Sequence, residues 1–192
     1  TKPSPEINYG YGRSLLKAEQ YAQARQQLQL AADKGYINAV AQLGWLYEHG
    51  KLGARDLKRA MTYYQQSAQA GSRVGQLYLG NIYFHGRPGV ERDYQQALYW
   101  NTLAAQQGHG AAQNMLGVHY FDGLGVAQDY KKAGYWLAEA VENGDTNAIK
   151  NLSILQRKLT ELENQRIARE AEARARAANQ AFNELATDAM NN

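Results

Sequence analysis

Residues 121–133 read FDGLGVAQDYKKA. A Gly-x-Gly pair running into a charged, helix-forming segment is one way a chain offers backbone N–H groups to a phosphate at a helix N-terminus. A binding loop normally occurs once, whereas a structural loop in a repeat protein recurs. Counterparts stand at 51–57, KLGARDL, and at 87–94, RPGVERDY, which aligns Gly125 with Gly53 and Gly89. Recurrence decides the reading: the stretch is the turn of a helix hairpin, and no nucleotide or other cofactor is expected there.

A shift of 36 or 37 residues aligns Gly44, Gly80 and Gly117, each preceded by a leucine and followed three positions later by Tyr47, Tyr83 and Tyr120. The same shift superposes Gly50, Gly86 and Gly123, then Asp56, Asp93 and Asp129, then Ala60, Ala97 and Ala133, then Tyr63, Trp100 and Trp136. Gly35, Gly71, Gly108 and Gly144 close successive units. Leu-Gly-x-x-Tyr, followed by Ala and aromatic positions at three-to-four-residue intervals, predicts two helices per unit. Each aspartate falls where the second helix begins, where a carboxylate accepts a backbone N–H and favours the positive end of the helix dipole. The closing glycines stand where a left-handed helix cap needs a residue without a β-carbon.

The series Leu116, Gly117, Tyr120, Gly123, Gly125, Asp129, Ala133, Trp136, Ala140 and Gly144 resembles the Sel-one-like repeat (SLR), a close relative of the tetratricopeptide repeat (TPR). Tandem copies are read at 37–72, 73–109 and 110–145. Residues 1–5 read as a linker, and 6–36 as a TPR-like or capping repeat, because Gly12 precedes Ala24 without the long glycine loop. From 146 to 192 a half repeat runs into one long helix: Ala148 and Leu152 continue the pattern, Ser153 replaces the glycine, and neither Pro nor Gly interrupts residues 147–190. The resemblance implies an all-α fold, a right-handed α-solenoid of helix pairs with a long C-terminal helix, and a role in protein–protein interaction. One such pair cannot bury its apolar face alone, so neighbours must stack. Tyr63, Trp100 and Trp136 repeat in register and are read as core between units rather than as a cofactor stripe.

In TPR-like solenoids the first helix of each pair lines the concave face. Carried over by register, the resemblance puts Tyr9, Arg13 and Leu16, then Asn38, Ala41, Trp45 and Glu48, on the groove. The next units supply Leu77, Asn81 and Phe84, and Asn114, Val118 and Phe121. Trp45, Phe84 and Phe121 are the residue type that anchors a partner peptide or helix; coverage by neighbouring repeats is the equal alternative. The terminal helix offers a second surface. Leu152, Leu155, Leu159 and Leu162 follow an a/d pattern suited to an end cap, and Glu170 with Arg174, and Glu172 with Arg176, stand at supportive i,i+4 spacing. Ala171, Ala175, Ala178, Phe182, Leu185 and Ala189 form a narrow apolar seam. A solvated tail, docking into a groove, and a coiled coil with a partner or a second copy all stay open for it.

The composition narrows the function classes. Of 192 residues, 44% are apolar and 20% charged, enough for an ordinary folded domain. The net charge of +3 is spread among acidic residues instead of gathered in a stripe, so no nucleic-acid partner is expected. No run of about 18 apolar residues occurs, so no membrane insertion is expected. The chain has no cysteine, which excludes disulfides, thiolate zinc sites and a cysteine nucleophile while leaving oxidising and reducing compartments both open. The proline-containing start at Thr1 reads as a processed terminus, so a periplasmic or secreted bacterial location is favoured and the cytoplasm stays open.

His49 and His85 recur at one loop position, and His109 closes a repeat. His119 replaces Leu46 and Ile82 and reads as a satisfied core histidine rather than a metal ligand or base. HExxH, GxSxG and Walker-type loops are absent from the sequence. The expectation is a non-enzymatic adaptor or scaffold for a protein partner, without metal or cofactor, in bacterial envelope assembly, secretion, motility or host interaction. A regulatory or structural subunit of an enzyme complex, or a hidden hydrolase, is the alternative.

Overall fold

In the computed structural model, residues 3–190 are described, with side chains through Glu184. Helix α1 (Pro5–Lys17) begins where Pro5 presets φ and the Ser4 hydroxyl accepts the Ile7 N–H at 3.4 Å. With α2 (Tyr21–Asp33) it forms the first pair. Three pairs on a common plan follow: α3 (Ile37–Glu48) with α4 (Leu57–Gln69), α5 (Arg73–His85) with α6 (Tyr94–Gln106), and α7 (Gly110–Asp122) with α8 (Tyr130–Glu142). The final helix, α9, runs Asn147–Met190.

The recurring aspartates are the N-caps of the second helices. Asp56 accepts the Arg59 N–H at 2.8 Å, Asp93 those of Gln95 and Gln96 at 2.9 and 3.0 Å, and Asp129 that of Lys132 at 2.9 Å. Each aspartate also donates its own N–H, to the carbonyl of Tyr47, Tyr83 or Tyr120 at 3.0, 2.8 and 2.8 Å. The Tyr-to-Asp spacing of the sequence is therefore a backbone clasp that closes the loop. Gly53, Gly89 and Gly125 turn that loop at φ of 133°, 82° and 72°, which a side chain would strain. A carboxylate at each helix start would repel a phosphate, so the loops close hairpins.

The leucine–glycine signature has a packing cause. A β-carbon on Gly44 would lie 2.7 Å from the Tyr64 ring, one on Gly80 2.2 Å from Asn101 Oδ1, and one on Gly117 2.5 Å from Leu137. Gly12 faces Leu28 in the same way at 2.9 Å, so all four pairs share one contact. The neighbouring leucines point into the core. Leu28, Ala31, Ala39, Leu43 and Leu46 form one cluster with Tyr63 packed on it. Ala60, Tyr64, Ala68, Leu79 and Ile82 form a second beneath Trp100, and Leu77, Ala104, Ala105, Ala112 and Leu116 a third beneath Trp136. Each cluster joins helices of successive units, so burying one leucine, at about 1.5–3 kcal/mol, also holds the stack together.

The chain divides into two compact units, 1–151 and 152–192. The first is an α-solenoid, with α9 entering it through buried Ala148 and through Asn151, whose side chain donates to Asn114 Oδ1 at 2.7 Å. In the second, Leu155 is buried, Leu152 and Leu162 are half-buried and Leu159 is exposed. Every side chain from 163 to 184 is exposed. This stretch is held by its own backbone and by ion pairs: Arg166 reaches Glu163 at 2.6 Å and Glu170 at 2.9 Å, and Arg176 reaches Glu172 at 3.6 Å. Glu170 thus pairs toward the N-terminus with Arg166. Among the described residues, no helix is long and apolar enough to cross a membrane.

Candidate interaction groove

The first helices of the pairs bring polar and aromatic side chains to one hollow of about 570 Å³. Tyr9 and Arg13 come from α1, Asn38 and Gln42 from α3, and Arg73, Val74, Leu77 and Tyr78 from α5. Tyr36, His109 and Asn143 complete its rim. The Tyr9 ring stands 4.7 Å from that of Tyr36, and the Arg13 guanidinium lies 5.8 Å over Tyr9. Burial pushes the Tyr78 phenol up to about 12 and raises that of Tyr9 as well, although the adjacent Arg13 opposes the shift. Both hydroxyls stay protonated donors at neutral pH. Burial, reinforced by Arg73, lowers the pKa of His109, whose Nδ1 is buried without a partner among the described residues.

A layer of amides behind the hollow fixes its walls. Ser72 donates to Asn38 Oδ1 at 2.6 Å, Gln107 to Gln76 Oε1 at 2.8 Å, and Asn143 to Gln113 Oε1 at 3.1 Å. The last two bonds occupy equivalent positions in successive units, so the polar framework repeats along with the apolar one.

Of the residues expected on the groove, Tyr9, Arg13, Asn38 and Leu77 line this hollow, Leu77 with only 9% of its surface exposed. Glu48 and Asn114 lie inside, and so does Ala41. Glu48 accepts the Tyr64 hydroxyl at 2.8 Å and the Arg87 Nε–H at 3.2 Å, which makes it a clamp between adjacent units and corrects the expectation of a free groove carboxylate. Asn114 is committed to Asn151. Trp45, Phe84 and Phe121 are half-buried. Trp45 stacks on His49 at 4.5 Å, Phe84 meets His119 and Tyr94 edge-on at 5.3 and 5.4 Å, and Phe121 lies 5.5 Å from Tyr130. None of these three lines the hollow, nor do half-buried Leu16, Asn81 and Val118. On α9, Ala171, Ala175 and Ala178 are exposed and Phe182 is 71% exposed; the side chains of Leu185 and Ala189 lie outside the described residues.

Sequence reasoning passed over Gln42, Arg73, Val74, Tyr78 and His109. The repeat register could have found the apolar members, because Val74 aligns with Asn38 and Tyr78 with Gln42. Arg73 and His109 sit at the joins between units, beside the closing glycines, where pattern reading sees only the turn.

His119 is fully buried. Its Nδ1 stands 2.7 Å from the Leu124 carbonyl, so it carries the proton there, and Nε2 is left to accept from Asn101 Nδ2 at 3.4 Å. Burial lowers its pKa. A neutral histidine tied at both nitrogens clips the glycine loop to the core. Among the described residues, no group of three or more His, Asp or Glu side chains is placed to hold a metal ion. A larger hollow of about 860 Å³ lies elsewhere, against the outer helix α2 and the loop at Lys51 and Leu52, with Arg25, Gln26 and Leu30 on its wall.

Stacked helix pairs with interlocking leucines and a groove along the first helices define an α-solenoid repeat protein. The chain belongs to the Sel1 repeat family, whose description matches residues 37–72, 74–109 and 110–145, more than half of its length. It is similar to a Sel1 repeat protein from Oxalobacter formigenes, at 29% identity and a TM-score of 0.68, over 77% of this chain and 58% of that one. It thus spans little more than half of that protein. Helicobacter pylori cysteine rich protein B shares the fold at 21% identity and a TM-score of 0.51, over 67% of this chain and 96% of that one. A comparison with curated proteins gives no match. Sel1 repeats are, in general, protein–protein interaction modules.

Proposed function

We propose that this chain is a non-enzymatic adaptor or scaffold that holds a segment of another protein in the groove of its first helices, with the exposed part of α9 as a second contact surface. The observation that carries this reading is the hollow itself: Tyr9 and Arg13 from α1, Asn38 from α3 and Leu77 from α5 meet around one open space whose walls are braced by bonds between units. Protonated phenols, amides and guanidiniums suit a peptide, which offers a carbonyl and an N–H at every residue. The buried histidine is held as a structural clip, which supports a binding role over a catalytic one. The adaptor's setting is part of the proposal: a bacterial cell, outside the cytoplasm, in envelope assembly, secretion, motility or host interaction. The bacterial origin of the Oxalobacter protein supports the first element.

The test is affinity capture from the cell that makes the protein, using the full chain and the double variant Tyr9→Ala plus Val74→Ala. A groove partner should be lost at least tenfold, the loss expected for removing interface anchors worth about 1.4 kcal/mol or more. Undiminished capture by a folded double variant contradicts the groove reading.

A further inference from the structure

The charge of the groove is one-sided. Arg13 and Arg73 line it, and no aspartate or glutamate does. Both are exposed, and neither belongs to an ion pair among the described residues. Arg13 rests over Tyr9, and Arg73 makes one long contact, 3.4 Å, to the Gln107 carbonyl. A guanidinium carries five N–H donors, so most of theirs point to solvent or to a ligand. The two charges act on the same neighbours, since both bear on Tyr9 and on His109. The acidic residue that bears on His109 is Asp145, which lies outside the lining of the hollow and whose Oδ1 accepts the Asn147 N–H at 2.8 Å.

Two exposed guanidiniums with unused donors on one hollow, and no carboxylate among the residues that line it, favour an anion that can accept from both. Beside them, Val74, Leu77 and the rings of Tyr9 and Tyr78 offer an apolar floor. We infer that the groove selects an acidic peptide: a partner segment with an Asp or Glu side chain between Arg13 and Arg73 and an apolar or aromatic residue on the adjoining tyrosines and Val74. This rests on the groove being the partner site. The helix α9 of a second copy fits the charge poorly, because its part from 147 to 184 carries more Lys and Arg than Asp and Glu.

The experiment is selection from a phage library of random dodecapeptides on the full chain, in parallel with Arg13→Gln plus Arg73→Gln, Arg13→Glu plus Arg73→Glu, and the groove-filling Val74→Trp. Both arginines are exposed, so the substituted chains should keep their helical circular dichroism. The expected result is enrichment of Asp and Glu on the unaltered chain, with binding of a selected peptide weakened about tenfold or more by the glutamine pair, as for loss of a charge-assisted hydrogen bond. The glutamate pair should turn the preference toward Lys and Arg. Peptides without an acidic bias that bind all arginine variants equally, yet are blocked by Val74→Trp, overturn the acidic inference and leave the groove reading standing. No selected peptide, or peptides indifferent to Val74→Trp, overturn both.

Discussion

The repeats and the last half of α9 are both helical, yet they keep their helices by different means. In the repeats every helix spends one face on a neighbour, and glycines at 12, 44, 80 and 117 let that neighbour approach to within contact of the backbone. From 163 to 184 no side chain is buried, and helix-forming residues with i,i+3 and i,i+4 ion pairs do the work. Sensitivity to single substitutions should therefore follow the packed faces. A packed helix is held by a few contacts that cannot be replaced, whereas an exposed one is held by many small terms, any of which can be lost.

The largest effect is expected from Tyr64→Ala. Tyr64 is fully buried in the second cluster and its hydroxyl donates to Glu48, so truncation should cost about 3–5 kcal/mol, read from chemical denaturation. A loss under about 1 kcal/mol would mean that the repeats tolerate cavities as freely as a surface does. Gly80→Ala comes next. Its β-carbon meets Asn101, and the expected loss of about 1–3 kcal/mol is the usual cost of overpacking a close helix contact. The same Gly-to-Ala change at Gly10, where nothing lies within 4 Å, should stabilise or leave the melt unchanged.

The packed repeats should also be sensitive to acid. His119 and His109 both have lowered pKa values in the folded chain, chiefly through burial. Unfolding frees them to bind protons below about pH 6.5, so their contribution is intact above that value and is lost as pH falls through it. Stability should decline toward pH 5 by at most about 1.4 kcal/mol per pH unit for each histidine. Replacing His119 with Leu, the residue type at the equivalent position 46, should flatten that decline; an unchanged slope would show that other groups carry it. The smallest effect is expected at the exposed helix: Phe182→Ala should shift stability by no more than about 0.5 kcal/mol.

The repeat architecture was legible because glycine, aspartate and tyrosine each have a backbone task, and such tasks recur at fixed spacing. The loop clasp, the helix caps and the glycine contacts all follow from residues whose roles are local or within one pair. The groove was legible only in part. Tyr9, Arg13 and Asn38 follow from register, but Glu48 was misplaced because its partner Arg87 stands 39 positions away and serves one unit alone. For Phe84 the sequence left a groove anchor and a covered side chain equally open, because nothing in its own repeat announces that His119 of the next lies against its edge. Arg73 and His109 converge only once successive units stack, and a one-dimensional pattern cannot show two joins facing a common space.

The most direct test of the groove is site-specific photo-crosslinking. A photoreactive residue is placed in turn at Val74 on the groove, at Leu30 on the outer hollow and at Phe182 on the exposed helix, and the chain is irradiated in the cell that makes it. A discrete protein adduct is expected from Val74 and none from Leu30, with any adduct at Phe182 marking a second contact. Adducts at Leu30 or Phe182 with none at Val74 would contradict the groove reading.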